Sequence, residues 1–169
     1  MTTDEQYMTQ SFELALKGAG SASPNPLVGC VIVKNGKVIA EGYHKKYGEY
    51  HAERNAINSA LKKGVSLKGA ELYVNLEPCA HFGKTPPCSD LIIEHKLSKV
   101  VIGVKDPYHE VAGKGIARMK KAGIKVITGV LEEEAHFAGK LFAMLRQQRG
   151  KRQHNRRVPV VPAGVHGSV

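Results

Sequence analysis

Apolar residues along this chain fall into two alternating periods. Over Glu5 to Lys17, the positions Tyr7, Met8, Phe12, Leu14 and Ala15 recur at roughly helical spacing. The Gly/Ser/Pro-rich stretch GAGSASPNP then breaks the helix. In LVGCVIVKNGKVIAEGY, two β-rich runs flank Asn35-Gly36, the strongest short-range hairpin signal. Ala52 to Lys62 reads as a helix with Ala56, Ile57, Ala60 and Leu61 inward, stopped by Gly64. Glu71 to Leu76 is a short strand, followed by the loop EPCAHFGKTPPC. Ser89 is placed to cap a helix over Asp90 to His95, with Asp90 favourable at its N-terminus. Lys99 to Val104 is a continuous apolar strand, 105–114 a polar loop and Ile116 to Ala122 a helix ended by Gly123. Lys125 to Thr128 is a strand, and a last helix runs from Leu131 to about Leu145.

The order α-β-β-α-β-α-β-α-β-α opens on an antiparallel hairpin and continues in the alternation that gives parallel strands with crossover helices. It predicts an α/β fold: a three-layer α/β/α sandwich around a mixed five-stranded sheet. No internal repeat is visible. One domain over 1–145 is expected, with 146–169, which lacks periodicity, as a basic flexible tail.

Composition narrows the picture. At 169 residues and 42% hydrophobic, the chain can bury the core of one domain. With no Trp, six Tyr and four Phe, it is poor in the stacking platforms that grip single-stranded nucleic acid. No apolar run reaches the roughly 20 residues of a membrane span, and the polar, acidic start MTTDEQYMTQ is wrong for a secretory signal, so a cytoplasmic protein is expected. The formal charge of +10 is unevenly placed. Seven of the 25 basic residues and none of the acidic ones follow Glu134, so residues 1–134 carry 18 basic against 15 acidic. Three cysteines do not make a disulfide framework, and thiols in a reducing compartment are ligands, nucleophiles or inert core groups.

Candidate chemistry concentrates in His51-Ala52-Glu53 and in Pro78-Cys79 with Cys88. One imidazole and two thiolates, from His51, Cys79 and Cys88, suit tetrahedral Zn²⁺ with a fourth position left for water, the pattern of a catalytic rather than a structural site. The metal lowers that water's pKa towards neutrality. Glu53 is the candidate to take the water's proton and deliver it to a ring nitrogen and a leaving amine. His51 and Glu53 share a site only if His51 stands at the helix entry, because residues two apart on a regular helix diverge. Cys30, inside GCVIV, reads as core. Two other readings stay open: a structural zinc knuckle, which leaves Glu53 without a task, and a non-catalytic zinc-containing binding module.

The pattern H-x-E…P-C…C resembles the cytidine-deaminase superfamily. Eight residues, AHFGKTPP, separate Cys79 from Cys88, longer than in nucleoside and nucleic-acid deaminases. That loop, with SPNPLVGCVIV, EGYHKKYGEYHAE and DPYHEVAGKGI, is similar to the deaminases of riboflavin biosynthesis from about Tyr7 to Glu134. The resemblance implies a cytidine-deaminase-like fold, one Zn²⁺, and hydrolysis of the 2-amino group of 2,5-diamino-6-(5-phosphoribosylamino)pyrimidin-4(3H)-one with release of ammonia. It implies contacts to the base or its substituents from Asn25 and His44, and to the ribosyl hydroxyls from Asp106. In the long loop, Lys84 offers a cation to the phosphate and His81 a hydrogen bond. The family commonly has Asn two residues after that Asp, where this chain has Tyr108. Its members commonly continue into an NADPH-dependent reductase. This chain carries no Gly-rich dinucleotide fingerprint, so it is expected to be a stand-alone deaminase or the deaminase part of a bifunctional enzyme, with a separate reductase as a candidate partner and a homo-oligomer as the expected state. Against that stands a deaminase of another base, nucleoside or nucleic acid on the same fold, favoured by the basic tail and opposed by the long loop and the mild charge of residues 1–134.

Overall fold

A computed structural model of the chain describes residues 1–83, 85–107 and 112–136. Helix α1 (Thr3–Leu16) begins two residues before the expected start at Glu5, because Thr2 starts it with a capping box. The Thr2 hydroxyl accepts from the Glu5 amide at 3.3 Å, and the Glu5 carboxylate accepts from the Thr2 amide at 2.7 Å. Strands β1 (Gly29–Lys34) and β2 (Lys37–Tyr43) are joined by Asn35 and Gly36, at φ 52° and 72°. That left-handed pair is what a two-residue type I′ turn requires, and Asn and Gly tolerate it best. Then come α2 (Ala52–Lys62), β3 (Glu71–Leu76), α3 (Cys88–Glu94), β4 (Lys99–Val104), α4 (Lys114–Lys121) and β5 (Lys125–Thr128). Residues 132–136 are helical; the remainder of the expected last helix and the tail 146–169 lie outside the described residues.

The five strands form one sheet in the order β2-β1-β3-β4-β5. β1 runs antiparallel to both β2 and β3, while β3, β4 and β5 are parallel. The mixed sheet expected from the element order is therefore present. Alternate residues of each strand feed opposite layers, as the period of two demands. Cys30, Ile32, Leu72, Val74, Val100 and Ile102 pack against α2, α3 and α4. Val31, Val33, Tyr73 and Val101 pack against Met8 and Leu14 of α1. At the rim of the α1 layer, Lys99 Nζ bridges Asp4 at 2.8 Å and Glu71 at 3.0 Å, and the Tyr73 hydroxyl lies between the two carboxylates, 2.9 Å from Asp4 and 2.7 Å from Glu71. Among the described residues no helix is long and apolar enough to cross a membrane.

Three local expectations are corrected. Leu61 is 45% exposed, because the inward stripe of α2 is carried by Ala52, Ala56, Ile57 and Ala60. Ser89 does not cap α3. That helix starts at Cys88 with Pro87 at the cap position, and the Ser89 hydroxyl is buried without a hydrogen-bond partner among the described residues. Proline's fixed φ supplies the entry geometry instead. Helix α4 starts at Lys114 rather than Ile116, because Gly113, at φ 79°, makes the turn into it.

Small residues set how closely α2 approaches the sheet. A Cβ added at Gly42 would fall on the Ala52 carbonyl oxygen and the Ala56 amide, both backbone atoms of α2. Gly42→Ala is expected to destabilise the chain by roughly 1–3 kcal/mol, the ordinary range for overpacking. A lower denaturant midpoint at unchanged slope would register it; an unchanged midpoint would mean that α2 is free to move away from β2.

Candidate active site

The strand ends bring the candidate residues to one edge of the sheet. β3 and β4 run parallel and end there at Leu76 and Val104, leading to Cys79 and Asp106. β1 is antiparallel to β3, so its start at Gly29, just after Asn25, lies at the same edge; Tyr43 pairs with Gly29 and leads to His44. Asn75 of β3 extends this arrangement with its side chain. Its Oδ1 accepts from the Gly29 amide at 2.8 Å and its Nδ2 donates to the Leu27 carbonyl at 2.9 Å. A polar residue inside the apolar strand ELYVNL was the available signal for this role, and sequence reasoning passed over it.

His51 is the N-cap residue of α2, with extended backbone at ψ 164°, so it stands off the helix as the pairing with Glu53 demands. Two neighbours pin the carbonyl of Tyr50 before it: Asn55 Nδ2 donates at 3.1 Å, and His44 Nδ1 lies at 3.0 Å. A carbonyl only accepts, so His44 carries its hydrogen on Nδ1. Its Nε2, 3.0 Å from Nδ2 of Asn25, is then the acceptor of that amide's hydrogen. Both ring nitrogens of His44 are thus committed within the protein. The His44 ring also meets the His51 ring edge-on, with centroids 5.6 Å apart.

Nδ1 of His51 lies 3.7 Å from Cys79 Sγ and 3.6 Å from Cys88 Sγ, and the three donor atoms all fall within 4.8 Å of one another. Zinc–nitrogen and zinc–sulfur bonds of ordinary length on a tetrahedron separate the ligand atoms by roughly 3.5–3.8 Å. The spacing and the one-nitrogen, two-sulfur donor set therefore fit a zinc ion. The amide of Cys88, first residue of α3, donates to Cys79 Sγ at 3.3 Å, so the start of that helix supports the thiolate. Hydrogen bonding from the Cys88 thiol, then from His51 and the Cys88 amide, lowers Cys79 to about 4 against the cost of burial. The hydrogen bond to Cys79 and burial push Cys88 in the opposite direction. The hydrogen bond to Cys79 likewise raises His51. Cys30 is fully buried in the core, as expected.

Glu53 lies in the first turn of α2, 3% exposed, and burial raises its carboxyl to about 7. Together with His51, Cys79, Asn25, His44, His81 and Asp106, it lines a cavity of about 220 Å³. A wider hollow of about 850 Å³ shares Asn25, His51, Cys79 and His81 with it, and adds Lys45, Tyr50 and Thr85. Lys84 and Tyr108 lie outside the described residues. Sequence reasoning also missed Arg54, whose guanidinium donates to the Pro86 carbonyl at 3.0 Å and stands 5.7 Å from the Tyr50 ring centre. It thereby ties α2 to the loop between the cysteines.

Comparison with known proteins agrees with this geometry. Residues 1–104 match the family model described as the cytidine and deoxycytidylate deaminase zinc-binding region. The riboflavin biosynthesis protein RibD of Actinobacillus pleuropneumoniae is 52% identical over 140 residues, which are 83% of this chain and 36% of that protein. The diaminohydroxyphosphoribosylamino-pyrimidine deaminase of Buchnera aphidicola is 49% identical over 139 residues, 82% of this chain and 92% of that protein. Among solved structures, a diaminohydroxyphosphoribosylaminopyrimidine deaminase/5-amino-6-(5-phosphoribosylamino)uracil reductase of Thermotoga maritima superimposes with a TM-score of 0.80 at 51% identity, covering 87% of this chain and 42% of that one. The chain thus spans little more than a third of the RibD relative and nearly all of the Buchnera one.

Proposed function

The chain belongs to the cytidine and deoxycytidylate deaminase family, matched through its zinc-binding region, and from that premise we propose that it hydrolyses the 2-amino group from 2,5-diamino-6-(5-phosphoribosylamino)pyrimidin-4(3H)-one. Water adds its oxygen to C2, the bond from C2 to the exocyclic nitrogen breaks, ammonia leaves and the ring keeps the oxygen. The observation that carries this reading is the convergence of His51 Nδ1, Cys79 Sγ and Cys88 Sγ beside the buried Glu53 at one cavity. The names of the Buchnera and Thermotoga relatives support the substrate.

His51, Cys79 and Cys88 would hold the zinc ion, which when bound would supply Lewis acidity to activate water near neutral pH. Glu53 takes one proton from the water and passes it to the ring nitrogen, then takes the second from the hydroxyl left on C2 and passes it to the departing amine. Its burial excludes competing bulk water from that transfer. Asn25 donates to His44, so its Oδ1 is the atom offered to an amino group of the pyrimidine. His44 acts through Asn25, holding the amide in that orientation. His81 and Asp106 line the wall where the ribosylamino substituent lies, and Lys84 of the long loop meets the phosphate. A reductase, joined to this chain or separate, takes the product. The three free thiols suit the reducing cytoplasm as its place of action.

Ammonia release from the phosphoribosylaminopyrimidine, from cytidine, from dCMP and from single-stranded DNA and RNA tests the substrate assignment. A site built to hydrogen-bond one substrate's polar groups rejects analogues lacking them by roughly 10⁴-fold, and the pathway pyrimidine is expected to lead by that order. Turnover of cytidine or nucleic acid with none of the pyrimidine would overturn the assignment and leave the zinc chemistry standing.

A further inference from the structure

Glu77, just past the end of β3, has no part in the chemistry above, yet it is 6% exposed and lines the inner cavity. Its carboxylate accepts four backbone amides. Oε2 takes Asp106 at 3.2 Å and Gly113 at 2.9 Å; Oε1 takes Gly115 at 3.1 Å and Ile116 at 3.2 Å. An ionised carboxylate has about four acceptor sites, so this one is fully used. Among the described residues no Lys or Arg forms an ion pair with it. Burying a charge is costly unless it is compensated, and among the described residues the compensation comes from the backbone.

The four donors come from both ends of the β4–α4 connection. Asp106 stands at its start, and Gly113, Gly115 and Ile116 stand where α4 begins. The N-cap residue Gly113 offers α4 no side-chain hydrogen bond, so Glu77 supplies the acceptor from outside the helix. Gly115 makes the approach feasible, since a Cβ there would fall on the Pro78 carbonyl oxygen. Pro78 joins Glu77 directly to Cys79. One carboxylate thus registers the wall that carries Asp106 against the loop that carries a metal ligand.

We infer that Glu77 is a positioning residue for substrate binding: by holding the Asp106 backbone and the entry of α4, it sets where Asp106 meets the ribosylamino part of the substrate. This rests on the deaminase reading above. Asp106 and the ribosyl group take no part in bond breaking, so the interaction is equal in ground and transition states and affects KM rather than kcat.

The test is a double-mutant cycle of Glu77→Gln and Asp106→Ala in the full chain, with KM, kcat and zinc content measured for the phosphoribosylaminopyrimidine. Gln offers one oxygen and an NH₂ where four amide donors converge. Glu77→Gln is expected to raise KM roughly 10- to 100-fold, the worth of a hydrogen bond to a charged group, with zinc unchanged and kcat nearly so. In the Asp106→Ala background the same change should raise KM little further. An unchanged KM, a fall in kcat alone, or a KM rise undiminished without Asp106 would overturn the inference. If Glu77→Gln does not fold, Glu77→Asp, which keeps the charge and shortens the reach, is carried through the same cycle under the same criteria. Wild-type protein inert towards this pyrimidine would instead overturn the deaminase reading.

Discussion

Glu53→Gln is expected to leave a folded, zinc-loaded protein that has lost roughly 10²–10⁴-fold or more of its kcat, the share a positioned general acid/base supplies. The amide is nearly isosteric and replaces no metal ligand, so the three donors from His51, Cys79 and Cys88 stay as they are. What disappears is the group that moves protons between water, ring nitrogen and leaving amine. Stability of the zinc-free protein should move the other way. Without the metal, burial raises the Glu53 carboxyl to about 7, so above that pH the folded chain holds a carboxylate at a site that disfavours its charge. A group whose folded pKa lies above its unfolded value costs stability once the pH exceeds the unfolded value. Neutral Gln removes that cost, and a higher denaturant midpoint together with lost turnover is the signature of a residue kept for function. Steady-state ammonia release and metal content of the loaded protein, with the denaturant midpoint of the chelator-stripped protein at alkaline pH, decide it. Near-normal turnover would remove Glu53 from the mechanism.

Cys88→Ser is expected to empty the site. The side chain is buried at the first residue of α3, its sulfur is 3.6 Å from His51 Nδ1, and its hydroxyl replacement is a far poorer zinc ligand than a thiolate. Loss of an outer hydrogen-bond partner of a metal ligand costs roughly 10–100-fold in affinity, and loss of a ligand itself should exceed that. Metal analysis after dialysis should fall from about one zinc per chain, the stoichiometry of a three-ligand site, towards none, with turnover lost in proportion. Cys30→Ser, at a buried core position that is not one of the three clustered donors, should leave zinc in place. Zinc retained in full by Cys88→Ser would mean that the ion is held elsewhere.

Why some of this was readable and some was not follows from how far each signal reaches along the chain. The hairpin at Asn35-Gly36 and the stripe Ala56, Ile57, Ala60 are local patterns, and both stand in the fold. His51, Glu53, Cys79 and Cys88 were legible because their chemistry is unusual enough to be noticed in single letters. The start of α3 was misplaced because Pro87 fixes the entry while the Cys88 amide turns to Cys79 Sγ, a partner nine residues back that no capping rule anticipates. Glu77, the first residue of EPCAHFGKTPPC, shows no task in the sequence, since its four partners lie 29 to 39 residues downstream. The tautomer of His44 depends on the Tyr50 carbonyl and the Asn25 amide together, a relation that exists only in three dimensions.

Deamination of the riboflavin-pathway pyrimidine by a zinc ion held on His51, Cys79 and Cys88, with Glu53 carrying the protons, is tested most directly by titrating the chelator-stripped full chain with zinc and following ammonia release from 2,5-diamino-6-(5-phosphoribosylamino)pyrimidin-4(3H)-one. The rate should be near background without metal, rise with added zinc and break at about one equivalent. A full rate from metal-free protein, or a zinc-loaded protein that releases no ammonia from this compound, would contradict it.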